Sequence, residues 1–113
     1  MKAWKQFEAD AAAVFGAKRC WANSGERVDF IGAFAIGQCK LVKVLSLESL
    51  TRLAEEMAEA GVAQSKLGVV ATKVRRGAGR KSPILITMTS DMFTAWFDMR
   101  TRVVPTTEEI TGC

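Results

Sequence analysis

Residues 24–40, SGERVDFIGAFAIGQCK, hold two short apolar runs separated by Gly32-Ala33. Val28-Asp29-Phe30-Ile31 and Phe34-Ala35-Ile36 are rich in β-branched and aromatic residues, and the connection is short enough for a tight hairpin. Such a hairpin brings Asp29, in the first run, beside Gln38-Cys39-Lys40 at the end of the second. Gln38 and Lys40 are two apart on a strand and so share a face. Asp29, Gln38 and Lys40 are therefore expected to form one patch, where a carbonyl ligand and an ammonium act on one ion and one water.

Upstream, residues 2–15 read as an amphipathic helix, with Trp4, Phe7, Ala11, Val14 and Phe15 at helical spacing and a stop at Gly16. Glu8 lies on the border of that stripe. A carboxylate there needs a partner, which a metal or a lysine supplies, unless it is a rim glutamate whose head stays in water. Ala17–Trp21 reads as a first strand. The loop Ala22–Arg27 follows, with small polar residues that allow close approach of a phosphate to backbone N–H groups and a hydroxyl.

Downstream, Leu41–Leu45 continues the strand or leaves it. Ser46 is placed to cap a helix whose apolar face is Leu47, Leu50, Leu53, Ala54, Met57 and Ala58, with Gly61 ending it. That face covers a sheet, and part of it is available for a dimer contact. Leu67–Thr72 is a continuous apolar run, as in a central strand covered on both faces. Lys73–Lys81, KVRRGAGRK, is the densest basic stretch and reads as a hairpin tip. Pro83–Met88 returns as a strand near an edge. Ser90 or Asp91 then caps a helix bearing Met92, Phe93, Trp96 and Phe97, which closes the core or forms a subunit interface. Residues 1–100 make one domain, and 101–113 a polar C-terminal tail.

Nearly half of the 113 residues are hydrophobic and a quarter charged, a globular balance. No apolar run approaches the roughly 20 residues of a membrane span, and acids stand where a signal peptide has its apolar core. A cytoplasmic protein is expected. Three cysteines without CxxC spacing and the complete lack of histidine make a zinc site a poor reading and exclude Ser-His-Asp and Cys-His catalysis. Any hydrolysis in this chain has to rest on carboxylates and lysine, with or without a metal. The net charge of +4 favours polyanions.

An acid, a short spacer, then a carboxylate or amide, any residue and lysine is the pattern of the PD-(D/E)XK nuclease superfamily, which Asp29 and Gln38-Cys39-Lys40 resemble. Val28 stands where the superfamily has proline, and Gln38 where it usually has glutamate; some restriction enzymes and transposon-end nucleases of the superfamily use Gln there. The leading helix with its Glu, the Phe15-Gly16 and Lys18-Arg19 pairs and the Ser24-Gly25 loop resemble the small Holliday junction resolvases of archaea and phages. That likeness spans Trp4–Lys40.

The resemblance implies an α/β restriction-endonuclease-like fold, a mixed central sheet of about five strands flanked by helices. It implies a homodimeric endonuclease acting on branched DNA, in the host cytoplasm if phage-encoded. Asp29, Gln38, Glu8 and the Cys39 carbonyl would hold Mg²⁺, for which Mn²⁺ can substitute, and Lys40 would orient the attacking water. Catalytic residues would thus be Asp29, Gln38, Lys40 and Glu8. Candidates for DNA contact are Arg19, Ser24, Arg27, Lys43, Lys73, Arg75, Arg76, Arg80 and Lys81. Alternatives left open are a homing, restriction-like or transposon-end nuclease on duplex DNA, a DNA-binding protein of this fold without chemistry, and a small α/β protein in which Asp29 and Lys40 merely pair.

Overall fold

The computed structural model describes residues 3–20, 28–77 and 80–102. It is an α/β fold in which a mixed sheet of five strands, in the order β1-β2-β3-β4-β5, is flanked by three helices. The chain runs α1 (Ala3–Val14), β1 (Lys18–Arg19), β2 (Phe30–Ile31), β3 (Ala35–Val42), α2 (Leu47–Gln64), β4 (Leu67–Val74), β5 (Ile84–Thr87) and α3 (Ser90–Arg102). Only β3 and β4 are parallel, with α2 as their crossover; the other neighbours are antiparallel. Among the described residues no helix is long and apolar enough to cross a membrane.

Strand alternation divides the core. Phe7, Ala11 and Ala12 of α1 and Met92 of α3 pack with Phe30, Ala35, Leu67, Val69 and Ala71, and Cys39, Leu41 and Trp96 lie against them. On the other face Ala54 and Met57 of α2 pack with Val70, and Ile36 with Val28 and Cys20. The six strand positions Leu67–Thr72 are all buried, as their unbroken apolar run implies.

The hairpin expected at Gly32 forms: Ile31 pairs with Ile36, and the Gly32 N–H donates to the Ala35 carbonyl at 2.8 Å. Gly16 ends α1 with φ +62°, a left-handed conformation that glycine adopts at little cost. Ser46 caps α2, its hydroxyl accepting the Ser49 N–H at 3.1 Å.

Several boundaries differ from expectation. Gly61 does not end α2, which continues to Gln64 and closes on Ser65 at φ 56°. Gly61 is instead buried where α2 meets β4: a Cβ there would run into the Gly68 amide. The glycine serves helix–strand approach rather than termination. The first strand is limited to Lys18–Arg19, and Trp21 falls outside the described residues. The cap of α3 is Thr89, whose hydroxyl accepts the Met92 N–H at 3.2 Å, because Ser90 is already inside the helix. That helix passes residue 100 and ends at Arg102. Leu47, assigned to the apolar face of α2, is exposed in its first turn.

Candidate functional site

The centre of the site is an irregularity in β2. Phe30 is in register with Gly37, yet the Asp29 N–H also donates to the Gly37 carbonyl, at 2.8 Å. Two residues thus oppose one, which is a β-bulge. The bulge changes the parity of the strand: Val28 and Ile31, an odd spacing apart, both join the Ile36 cluster on the α2 face. The Asp29 backbone stays bonded on both sides, its carbonyl accepting the Cys20 N–H at 2.8 Å, while its side-chain Oδ2 accepts the N–H of Cys39 at 2.7 Å. Because a strand residue's N–H and C=O leave on the same side, the Cys39 carbonyl is directed to this edge as well.

Glu8 reaches the same place from α1. Its side chain is 14% exposed and accepts a 2.7 Å hydrogen bond from Arg19 Nε. Burial raises the Glu8 carboxyl above its ordinary value, the Arg19 hydrogen bond opposes this, and the nearby Asp29 charge adds to the rise. The Cys39 thiol is pushed up to about 12, first by burial and then by the Asp29 and Glu8 charges. Glu8, Asp29 and Cys39 are thereby brought together, with Arg19 as the cation among them. The Arg19 guanidinium also lies over Trp4, its carbon 5.5 Å from the ring centroid.

The patch of Asp29, Gln38 and Lys40 expected from the hairpin is divided. Cys39 and Leu41 pack on the α1 side, so Gln38 and Lys40 fall on the α2 side by alternation, in register with Val70 and Thr72. The bulge moves the Asp29 carboxylate away from that face. Gln38 still carries a telling feature: its Oε1 is buried and has no hydrogen-bond partner. Such an atom costs stability unless something else satisfies it.

The partner of Glu8 is Arg19, where a metal or lysine was expected, and Arg19 is correspondingly engaged rather than free for DNA. Ser24 and Arg27 lie outside the described residues. The remaining candidates cluster. Because β3 and β4 are parallel and in register from Ala35↔Leu67 to Val42↔Val74, their C-terminal ends coincide, and Arg75 N donates to the Val42 carbonyl at 2.6 Å. Lys40, Lys43, Lys73 and Arg75 therefore share one end of the sheet. Arg76, Arg80 and Lys81 are exposed beyond it, with Arg76 donating to the Lys81 carbonyl at 3.0 Å. The exposed side of α2 carries Glu48, Glu55, Glu56 and Glu59 instead.

Among the described residues, no group of three or more His, Cys, Asp or Glu side chains is arranged to hold a metal ion. The oxygens present, two carboxylates and a backbone carbonyl, are the hard donors that Mg²⁺ takes, with waters and phosphate completing its shell. By donor chemistry they fit that ion, whereas the orphaned Gln38 oxygen belongs to the α2 face of β3.

Fold and site together define a small α/β protein with a carboxylate pair at a bulged strand and a basic sheet end. Comparison with protein-family models, with curated proteins and with solved structures yields no match.

Proposed function

We propose that this chain is a metal-dependent DNA endonuclease of the PD-(D/E)XK type, cutting branched DNA as a homodimer. The observation that supports this reading best is the convergence of Glu8 and Asp29, from helix and bulge, on the Cys39 amide edge. The Asp29 charge raises the Glu8 carboxyl, so a cation is favoured beside the pair, a place Arg19 takes in the ion-free chain. A second support is the basic end of the sheet, whose cations suit sequence-independent phosphate contacts.

When bound, Mg²⁺ lowers the pKa of its water and offsets charge developing on the phosphate. The chain's own part is positional. The Cys39 N–H fixes Asp29, Arg19 holds Glu8 while no ion is bound, and Lys73, Arg75, Arg76, Arg80 and Lys81 grip the DNA backbone. The reading also demands that Gln38 and Lys40 act at this edge from the α2 side of β3, Lys40 orienting the attacking water. For the homodimer, Phe93 and Phe97 of α3 offer a surface: they are 52% and 57% exposed, and their rings stack with centroids 6.3 Å apart. Loss of dimer on Phe93→Ser with Phe97→Ser, measured by sedimentation, tests that surface.

The deciding experiment compares cleavage of a labelled four-way junction and a matched duplex in Mg²⁺ or Mn²⁺, for the native chain, Asp29→Ala and Lys40→Ala. Paired nicks near the branch, lost in both variants while binding survives, are the expected result. Equal cutting of both substrates would replace the junction reading by a restriction-like, homing or transposon-end nuclease.

A second reading, a DNA-binding protein of this fold without chemistry, is favoured by one observation: Gln38 and Lys40 lie on the face opposite Glu8 and Asp29. Binding without Mg²⁺ and no cleavage in either metal would establish it. Under either reading, each basic-tip residue that loses a phosphate contact should reduce the slope of log K against log salt by about 0.9.

A further inference from the structure

We propose that Arg19 is the resident counter-cation of the Glu8–Asp29 pair, and that Arg19 and a divalent ion exclude one another there. Arg19 holds Glu8 in the ion-free chain and releases it when the ion binds. The inference rests on the nuclease reading and adds a competition within its site.

The geometry leads to this in three steps. Arg19 Nε is 2.7 Å from Glu8 Oε1, so the oxygen an ion would need already has a charged donor on it. A guanidinium stays protonated at any working pH, so that donor cannot be titrated away and has to move. The structure provides somewhere for it to go: Arg19 is 28% exposed, on the edge strand β1, and already lies over the face of Trp4, itself 41% exposed. A cation moving across an aromatic face keeps part of its attraction while it leaves the carboxylate.

A salt bridge that only fastened α1 to β1 would behave differently. Its removal would leave ion affinity unchanged, or reduce it by loosening Glu8. Competition has the opposite sign: deleting Arg19 strengthens ion binding.

The experiment is calorimetric titration of the full chain with Mg²⁺ alone at pH 8, for the native protein, Arg19→Gln, Arg19→Lys and Asp29→Ala, with tryptophan emission followed in parallel. Trp4→Phe assigns the emission change. Arg19→Gln is expected to bind Mg²⁺ about tenfold more tightly, within the usual range of coupling between exclusive ligands. Arg19→Lys should fall between it and the native chain, and should carry the comparison if the Gln variant fails to fold. Mg²⁺ should alter Trp4 emission in the native chain and leave it unaltered in Arg19→Gln. Equal or weaker binding by Arg19→Gln, with Asp29→Ala still abolishing it, would overturn the competition and leave the nuclease reading standing. Absence of Mg²⁺ binding in every folded variant would overturn both.

Discussion

Oδ2 of Asp29 accepts the Cys39 N–H at 2.7 Å, so a side chain fills the place that a backbone carbonyl holds in a regular ladder. This bond gives Asp29 a structural task in addition to any chemistry. Asp29→Ala leaves a part-buried amide without that acceptor and should cost about 1–3 kcal/mol in urea unfolding. Asp29→Asn keeps an acceptor oxygen and should recover most of the loss. Equal destabilisation by both would show that the bond to Cys39 is not its source.

The Cys39 thiol, pushed up to about 12 from an ordinary 9.0, should be nearly inert in the folded chain. Its alkylation by iodoacetamide at pH 8.5, followed by site-resolved mass spectrometry, should run roughly 10³-fold slower than in urea-unfolded protein, as the thiolate population dictates. Asp29→Asn removes one of the repelling charges and should speed it. A native rate matching the unfolded one would contradict the burial of this group between two carboxylates.

Glu8 imposes a pH dependence of definite sign. Its folded carboxyl titrates above the ordinary 4.5, so between that value and the folded one the native state binds more protons than the unfolded state. Stability from this group is complete below pH 4.5 and is lost as pH rises through the folded value. Glu8→Gln abolishes that titration. The unfolding free energy of the native chain relative to Glu8→Gln should therefore fall with rising pH above 4.5, and a difference that rises instead would reverse the assignment.

The contact of α2 with β4 should tolerate no added methyl. A Cβ on Gly68 would overlap the Met57 carbonyl, a backbone atom in the middle of a helix, whereas one on Gly77 meets nothing within 4 Å. Gly68→Ala is expected to destabilise by about 3 kcal/mol or more, the range of severe overpacking. Gly77→Ala should change the urea midpoint very little. Similar midpoints for the two variants would count against the close approach of α2 and β4.

Much of the fold is present in the sequence because it is written in local terms. The β-branched runs around Gly32 specify the hairpin, Ser46 and Gly16 mark helix ends, and the unbroken Leu67–Thr72 run specifies a strand covered on both faces. What failed locally failed for a tertiary reason. Gly61 has the chemistry of a helix stop, and only the passage of β4 beside it makes it a packing residue inside the helix. Thr89 displaced Ser90 as cap because α3 begins one residue earlier than periodicity alone suggests.

The site divides in the same way. Sequence by itself determined that any hydrolysis here, without histidine, would fall to carboxylates and lysine, that Glu8 sits on the border of an apolar stripe, and that Gln38 and Lys40 share a face. Tertiary structure decided which face. A single extra residue at Asp29 inverts the strand's parity, which periodicity of two cannot anticipate, and it sends the Asp29 carboxylate to Cys39 and Glu8 rather than to Gln38 and Lys40. It also decided that the cation beside Glu8 is Arg19, because a charge pair between a helix and an edge strand depends on how the two elements meet, and no spacing along the chain encodes that meeting.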